Sequence, residues 1–127
     1  LAIYGAGADV IFHAAGPTGL GLFEAAKEAK KYAIGVDTNQ ENLAPDWTVA
    51  SMLKNVGDSI FLFAKAFNEG GIQPGAVMSY GLKEGGVGIS YGDVEPDLVP
   101  QAIKDKVEAI AKEILDGKVI VETYTAQ

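Results

Sequence analysis

The chain contains no cysteine, which excludes disulfides, thiol chemistry and thiolate metal sites. Its single histidine, His13, rules out a histidine-rich metal site, and any histidine-based catalysis would have to use that one residue. Basic side chains are scarce: ten stand against seventeen acidic ones, giving a formal charge of −7 and a pI near 4.5. This argues against nucleic acid as a partner, because phosphate binding needs a basic footprint. The same deficit argues against docking on anionic lipid. No apolar run reaches the length of a bilayer span, and no signal peptide, repeat or low-complexity segment is visible. Nor does the sequence offer a nucleophile–base pair or paired carboxylates at catalytic spacing, which disfavours an enzyme.

What is present fits one α/β domain. With 127 residues, 48% of them hydrophobic, the chain can bury a core. It is organised around Val10 to Asp37: an apolar run, a glycine-rich turn, a helical pattern, and a second apolar run ending on a carboxylate. This is a βαβ unit of the parallel-sheet kind. Ligands of such sheets sit beyond the carboxyl ends of the strands, near helix N-termini. The turn Gly16–Gly19 and Asp37 are both expected on that edge.

Taken in order, the chain opens on leucine, and Leu1 to Gly7 reads as the last turn of a helix with its glycine stop; the expectation is a segment of a longer protein. Ala8 to Ala15 is the first strand, apolar enough to be covered on both faces. Thr18 is placed to cap a helix running to about Lys30, with Leu22, Phe23, Ala26 and Ala29 facing inward. Tyr32 to Val36 is the second strand, and the polar connection after Asp37 is long for its type. Thr48 to Leu53 forms a third strand closing on Lys54-Asn55. Val56, Ile60, Phe63 and Phe67 then recur at helical spacing up to Gly70-Gly71. Ala76 to Leu82 and Val87 to Tyr91 read as a strand and its return around Lys83-Glu84-Gly85-Gly86. A helix starts at Pro100, buries Ile103, Val107, Ile110 and Ile114, and stops at Gly117. Val119 to Val121 is a last short strand, followed by a loose tail to Gln127.

Each residue that could contact a ligand also has a plainer role. The Gly16–Gly21 stretch lacks the Lys-Ser/Thr ending of a P-loop and the spacing of a dinucleotide fingerprint, and Gly5-Ala6-Gly7 precedes a strand rather than following one. These glycines either permit a tight turn or present helix N-terminal amides to a ligand oxygen. Phe12 and His13 alternate to opposite faces of their strand. For Phe12 core packing is the default, and for His13 a structural hydrogen bond. Asp37 either caps the following segment or accepts hydrogen bonds from vicinal hydroxyls, as acidic groups do at ribose sites. Lys54 is by default a solvated charge.

Three stretches together resemble the basic membrane protein (BMP) family. They are Ala8 to Gly16 with Thr18-Gly19-Leu20-Gly21, Ile34-Gly35-Val36-Asp37, and Ala50 to Gly57. The likeness extends through Tyr80-Gly81-Leu82 and Gly86-Val87-Gly88 to the final helix. These are lipid-anchored, extracytoplasmic substrate-binding proteins of ABC importers, related to purine nucleoside receptors of spirochaetes. The resemblance implies a type I periplasmic-binding-protein fold, of which this chain is the C-terminal portion: residues 8–47 and 76–121 belong to the C-terminal lobe, with its parallel sheet flanked by helices. Residues 48–70 form a strand–helix segment that crosses the hinge into the other lobe. It further implies that Phe12 stacks on a nucleobase and Gly16 approaches the ligand. Asp37 would hold the ribose hydroxyls, and Lys54 would help hold the sugar. Pro17 departs from the family pattern, where glycine is expected; it removes an N–H donor and stiffens the turn.

The implied ligand is a purine nucleoside, the implied partner an ABC permease, and no cofactor or metal is expected. The segment by itself is expected either to associate through its Phe63/Phe67 helix or to fold that helix back on its own lobe. The competing readings are a small α/β enzyme or flavodoxin-like nucleotide-binding module, and a sensory domain of the same fold that takes a peptide or protein in place of the solute.

Overall fold

Small side chains decide which face of the sheet is covered. Ala26 and Ala33 are fully buried, so helix and sheet approach closely, and Phe23 fills the space between them. The computed structural model describes residues 1–93 and 97–122. Its sheet has four strands in the order β1-β2-β3-β4. Strands β1 (Val10–Phe12), β2 (Tyr32–Gly35) and β3 (Thr48–Lys54) are parallel, with Phe12 opposite Ile34 and Gly35 opposite Ser51. Strand β4 (Val87–Ser90) returns antiparallel on β3, placing Lys54 opposite Val87. The helices are α1 (Ala2–Gly5), α2 (Leu20–Ala29), α3 (Val56–Asn68) and α4 (Gln101–Leu115). A 3₁₀ turn, Gly16–Gly19, leads into α2, and a second, Glu41–Leu43, lies between β2 and β3.

The core sits on the α2 side, where Tyr4, Phe23, Ala26, Ala33 and Ala44 form one buried cluster, with Ile11, Leu22 and Trp47 packed around it. Tyr4 ties α1 down by donating to the Tyr32 carbonyl at 2.7 Å, and burial pushes its phenol pKa up. The apolar stripe expected on α2 is present, and the expected helix remnant before Gly7 is α1. Thr18 is not the cap: it lies inside the 3₁₀ turn, and its hydroxyl donates to the Ala15 carbonyl at 2.5 Å. Pro17, with its fixed φ, stands in the first turn of a 3₁₀ segment that already begins at Gly16, ahead of Thr18.

Several sequence expectations change here. The first strand is shorter than Ala8 to Ala15 and is covered on one face only; Val10 and Phe12 are exposed. Ala76 to Leu82 is not a strand. Its end is drawn into a closed turn in which Gly86 N–H donates to the Gly81 carbonyl and Gly81 N–H to the Glu84 carboxylate, both at 2.9 Å. Asn55 grips that turn, its backbone N–H donating to Gly86 O at 2.9 Å and its side-chain amide to Gly85 O at 2.8 Å. Gly86 leaves no room for a Cβ against the Tyr80 carbonyl. Val119 to Val121 is likewise not a strand, because the amides of Lys118 and Val119 close the end of α4 by donating to the Glu113 carbonyl. The tail beyond residue 122 lies outside the described residues.

The second face of the sheet is apolar and only partly covered. Ile34, Ala50, Met52 and Ile89 from the strands, with Ile103 and Val107 from α4, bound a trough of about 390 Å³. Neither α3 nor α4 buries any residue, so the stripe of Ile103, Val107, Ile110 and Ile114 is half-covered rather than buried.

His13 shows how tightly the first βα junction is built. It is buried edge-on to Phe23, ring centroids 6.0 Å apart, and a Cβ at Gly19 would clash with its ring at 2.1 Å. The structural hydrogen bond expected of it is absent among the described residues, since neither ring nitrogen has a partner. Gly19→Ala is therefore expected to destabilise the protein by about 1–3 kcal/mol through overpacking. Urea unfolding checks this, and the His13→Ala/Gly19→Ala double variant should recover part of the loss. Equal, additive losses would show that the two positions do not touch.

Candidate functional site

A parallel sheet gathers the ends of its strands on one edge, and here that edge brings together the four residues singled out from the sequence. Phe12 closes β1, Gly16 begins the following turn, Asp37 lies two residues beyond β2, and Lys54 closes β3. Phe12, Gly16 and Asp37 line one depression of about 250 Å³, together with Ala14, Val36 and Met52. Lys54 stands on the far side of Asp37, its Nζ 2.9 Å from the carboxylate. These two also border a second depression with Thr38, Asn39 and the start of α3. Both charged side chains are about half exposed, so the pair contributes little stability.

The state of Phe12 separates its two roles. A core phenylalanine would be buried, whereas this one is 55% exposed at the rim of the depression. His13, by alternation, is buried on the opposite face and takes no part.

The backbone at Asp37 is unusual. Its φ is +69°, in the left-handed region that residues other than glycine rarely occupy. Such a conformation persists only where its surroundings enforce it. Lys54 N–H donates to the Asp37 carbonyl at 3.0 Å, Thr38 N–H to the Val36 carbonyl at 2.8 Å, and Val36 N–H to Gln40 Oε1 at 2.8 Å. Asp37 is thus no cap of the next segment; the chain around it is held so that its side chain stands clear.

Gln40 and Ser51 take part in this arrangement and were not found from the sequence. Gln40 lies in a polar run with no periodicity, and Ser51 is one small residue within a strand. The only usable signal was Gly35, whose missing side chain makes room for both: a Cβ there would lie 2.6 Å from Ser51 Oγ and 2.9 Å from Gln40 Oε1. Glu41 was missed as well. Its carboxylate is buried, and Asp93 N–H donates to it at 2.7 Å, which fastens the chain leaving β4 to the loop after β2.

The comparisons with known proteins can be set against this geometry. The family whose model matches residues 1–124 is the PnrA-like ABC transporter substrate-binding proteins, Bmp. The chain belongs to this family. Among curated relatives, it is 36% identical over 122 residues to basic membrane protein A of Borreliella afzelii, covering 94% of this chain and 37% of that protein. It is 40% identical over 92 residues to basic membrane protein B of Borrelia garinii subsp. bavariensis, covering 69% of this chain and 27% of that one. The chain therefore spans about a third of the length of the relatives it matches. A solved ABC transporter solute-binding protein from Aeropyrum pernix superposes with a TM-score of 0.74 at 27% identity, covering 98% of this chain and 43% of that one. A transcriptional activator of the comK gene from Bacillus halodurans shares the fold at a TM-score of 0.78 and 22% identity, over 95% of this chain and 41% of its own. The periplasmic-binding-protein fold and the ABC substrate-binding family expected from the sequence are thus established. No helix among the described residues is long and apolar enough to cross a membrane.

The left-handed backbone at Asp37 can be measured directly. Asp37→Gly and Asp37→Ala both lose the pair with Lys54, but only glycine relieves the backbone. The glycine variant should be the more stable by about 1 kcal/mol in chemical denaturation. An alanine variant as stable as the glycine one would contradict the left-handed conformation.

Proposed function

We propose that this chain is the C-terminal portion of an extracytoplasmic receptor that captures a purine nucleoside between two lobes and delivers it to an ABC permease. The observation that carries this reading is the exposed Phe12 ring beside the Asp37 carboxylate, on the ligand edge of a sheet whose family binds ABC substrates. An aromatic face takes a base by stacking and tolerates different bases. A carboxylate takes vicinal hydroxyls as paired acceptors. Gly16, at φ +52°, lets the turn approach the ligand with no side chain in the way, and Lys54 steadies the carboxylate and reaches the sugar.

In this reading the work is closure, not chemistry. The lone histidine is packed away on the other face of the sheet, and the depression is lined by apolar residues with a single carboxylate. The whole protein would be lipid-anchored outside the cytoplasm, as the family resemblance implies.

Residues 48–70 would cross to the other lobe, with residues 8–47 and 76–121 forming this one. The state of α3 supports that division. Ile60, Phe61 and Phe67 are each more than 60% exposed, an apolar surface that solvent does not favour. An environment-sensitive apolar dye should therefore bind the isolated segment and not the complete two-lobed protein. Equal silence from both would place α3 back against its own lobe.

The site is tested by calorimetric titration of adenosine, guanosine and inosine into the complete protein, with the isolated segment alongside. Tight binding by the first and near silence from the second is the expected result. Asp37→Ala in the complete protein should weaken ribonucleoside binding by about 1.5–3 kcal/mol, the value of a charge-assisted hydrogen bond. Unchanged affinity would remove Asp37 from the site, and silence of the unmodified protein toward all three nucleosides would redirect the search to sugars and other small metabolites.

A further inference from the structure

Asp37 must be aimed, and the structure shows what aims it. Among the described residues its side chain is ion-paired with Lys54, a half-exposed partner. The firm contacts lie one layer inward. Ser51 is buried in the middle of β3 at 1% exposure, and its hydroxyl oxygen accepts the Gln40 backbone N–H at 3.1 Å. The Gln40 side chain then doubles back, and its Oε1 accepts the Val36 N–H at 2.8 Å. Gly35 makes this possible, since any Cβ there would collide with both groups. The chain after β2 is thereby tied to β3 through a side chain on each side, with the left-handed Asp37 enclosed in the loop so formed.

We propose that Gln40 and Ser51 are positioning residues that set the direction of the Asp37 carboxylate, and hence the receptor's preference for a ligand with vicinal hydroxyls. The proposal rests on the reading of Asp37 given under Proposed function. Two features support it. The amide acceptor is matched to one backbone donor, Val36 N–H, the residue immediately before Asp37. The anchoring hydroxyl lies on the same strand that ends in Lys54, so both sides of the carboxylate are referenced to β3. Without the tie, Asp37 would fall back to ordinary backbone geometry and the carboxylate would swing away from the strand ends.

Gln40→Met separates the tie from packing, since methionine keeps the volume and loses the acceptor. Gln40→Glu keeps an acceptor and serves as the rescue. In the complete protein, Gln40→Met should speed hydrogen exchange at the Val36 amide and weaken ribonucleoside binding about tenfold. Its affinity for the matching 2′-deoxynucleoside should move much less, because that ligand lacks one of the hydroxyls. Gln40→Glu should restore Val36 protection. Combined with Asp37→Ala, Gln40→Met should add nothing further. A Gln40→Met protein that binds like the unmodified one, while Asp37→Ala is weakened, overturns the positioning role and leaves the reading of Asp37 standing. An Asp37→Ala protein that binds normally overturns that reading and the proposal with it. Unchanged Val36 exchange in Gln40→Met overturns the tie itself, whatever the ligand.

Discussion

The arrangement at the strand ends depends on one backbone constraint: the chain must turn sharply after β2 without a glycine at the turning residue. Asp37 takes the left-handed conformation itself. A residue with a Cβ occupies that region at a cost, and the surrounding hydrogen bonds offset it. The return is a carboxylate standing at the end of the sheet rather than folded back on its own backbone. Glycine appears one step earlier in the structure's logic, at Gly35, where space is needed for the groups that hold the turn.

The parts of the fold that follow from period and punctuation were legible. The βαβ unit, the three parallel strands, the α3 pattern and the stop at Gly117 all follow from hydrophobic spacing and breakers. What could not be read were choices settled by competition for backbone hydrogen bonds, between groups near in sequence as well as far. Nothing in Ala76 to Leu82 announces that its backbone is spent on the Gly81–Gly86 turn, or that Asn55 holds that turn from another element. Thr18 looks like a cap, but the 3₁₀ turn already begins ahead of it, at Gly16. Apolar character at Val10 and Phe12 likewise shows that these residues avoid water, not which surface covers them.

The candidate site divides along the same line. Phe12, Gly16, Asp37 and Lys54 could be named because they lie at strand ends or in the turns just after them, within stretches that resemble the family. Gln40, Glu41 and Ser51 could not, because they act through hydrogen bonds to backbone amides, four to fifty-two residues away, that no spacing in the sequence marks. Side chains that meet a ligand tend to stand at marked positions. Those that hold them in place lie within loops and strands whose patterns carry other information.

The buried cluster has a further consequence, one of timing. Its members run from Tyr4 to Ala44, so it is completed within the first part of the chain, before β3, β4 or α4 is needed. Contacts between residues near in sequence form quickly, since little loop entropy is lost in closing them. During synthesis this half of the sheet can consolidate as it emerges, with β1 and β2 paired under α2. The apolar second face of that sheet is then presented to the residues made afterwards.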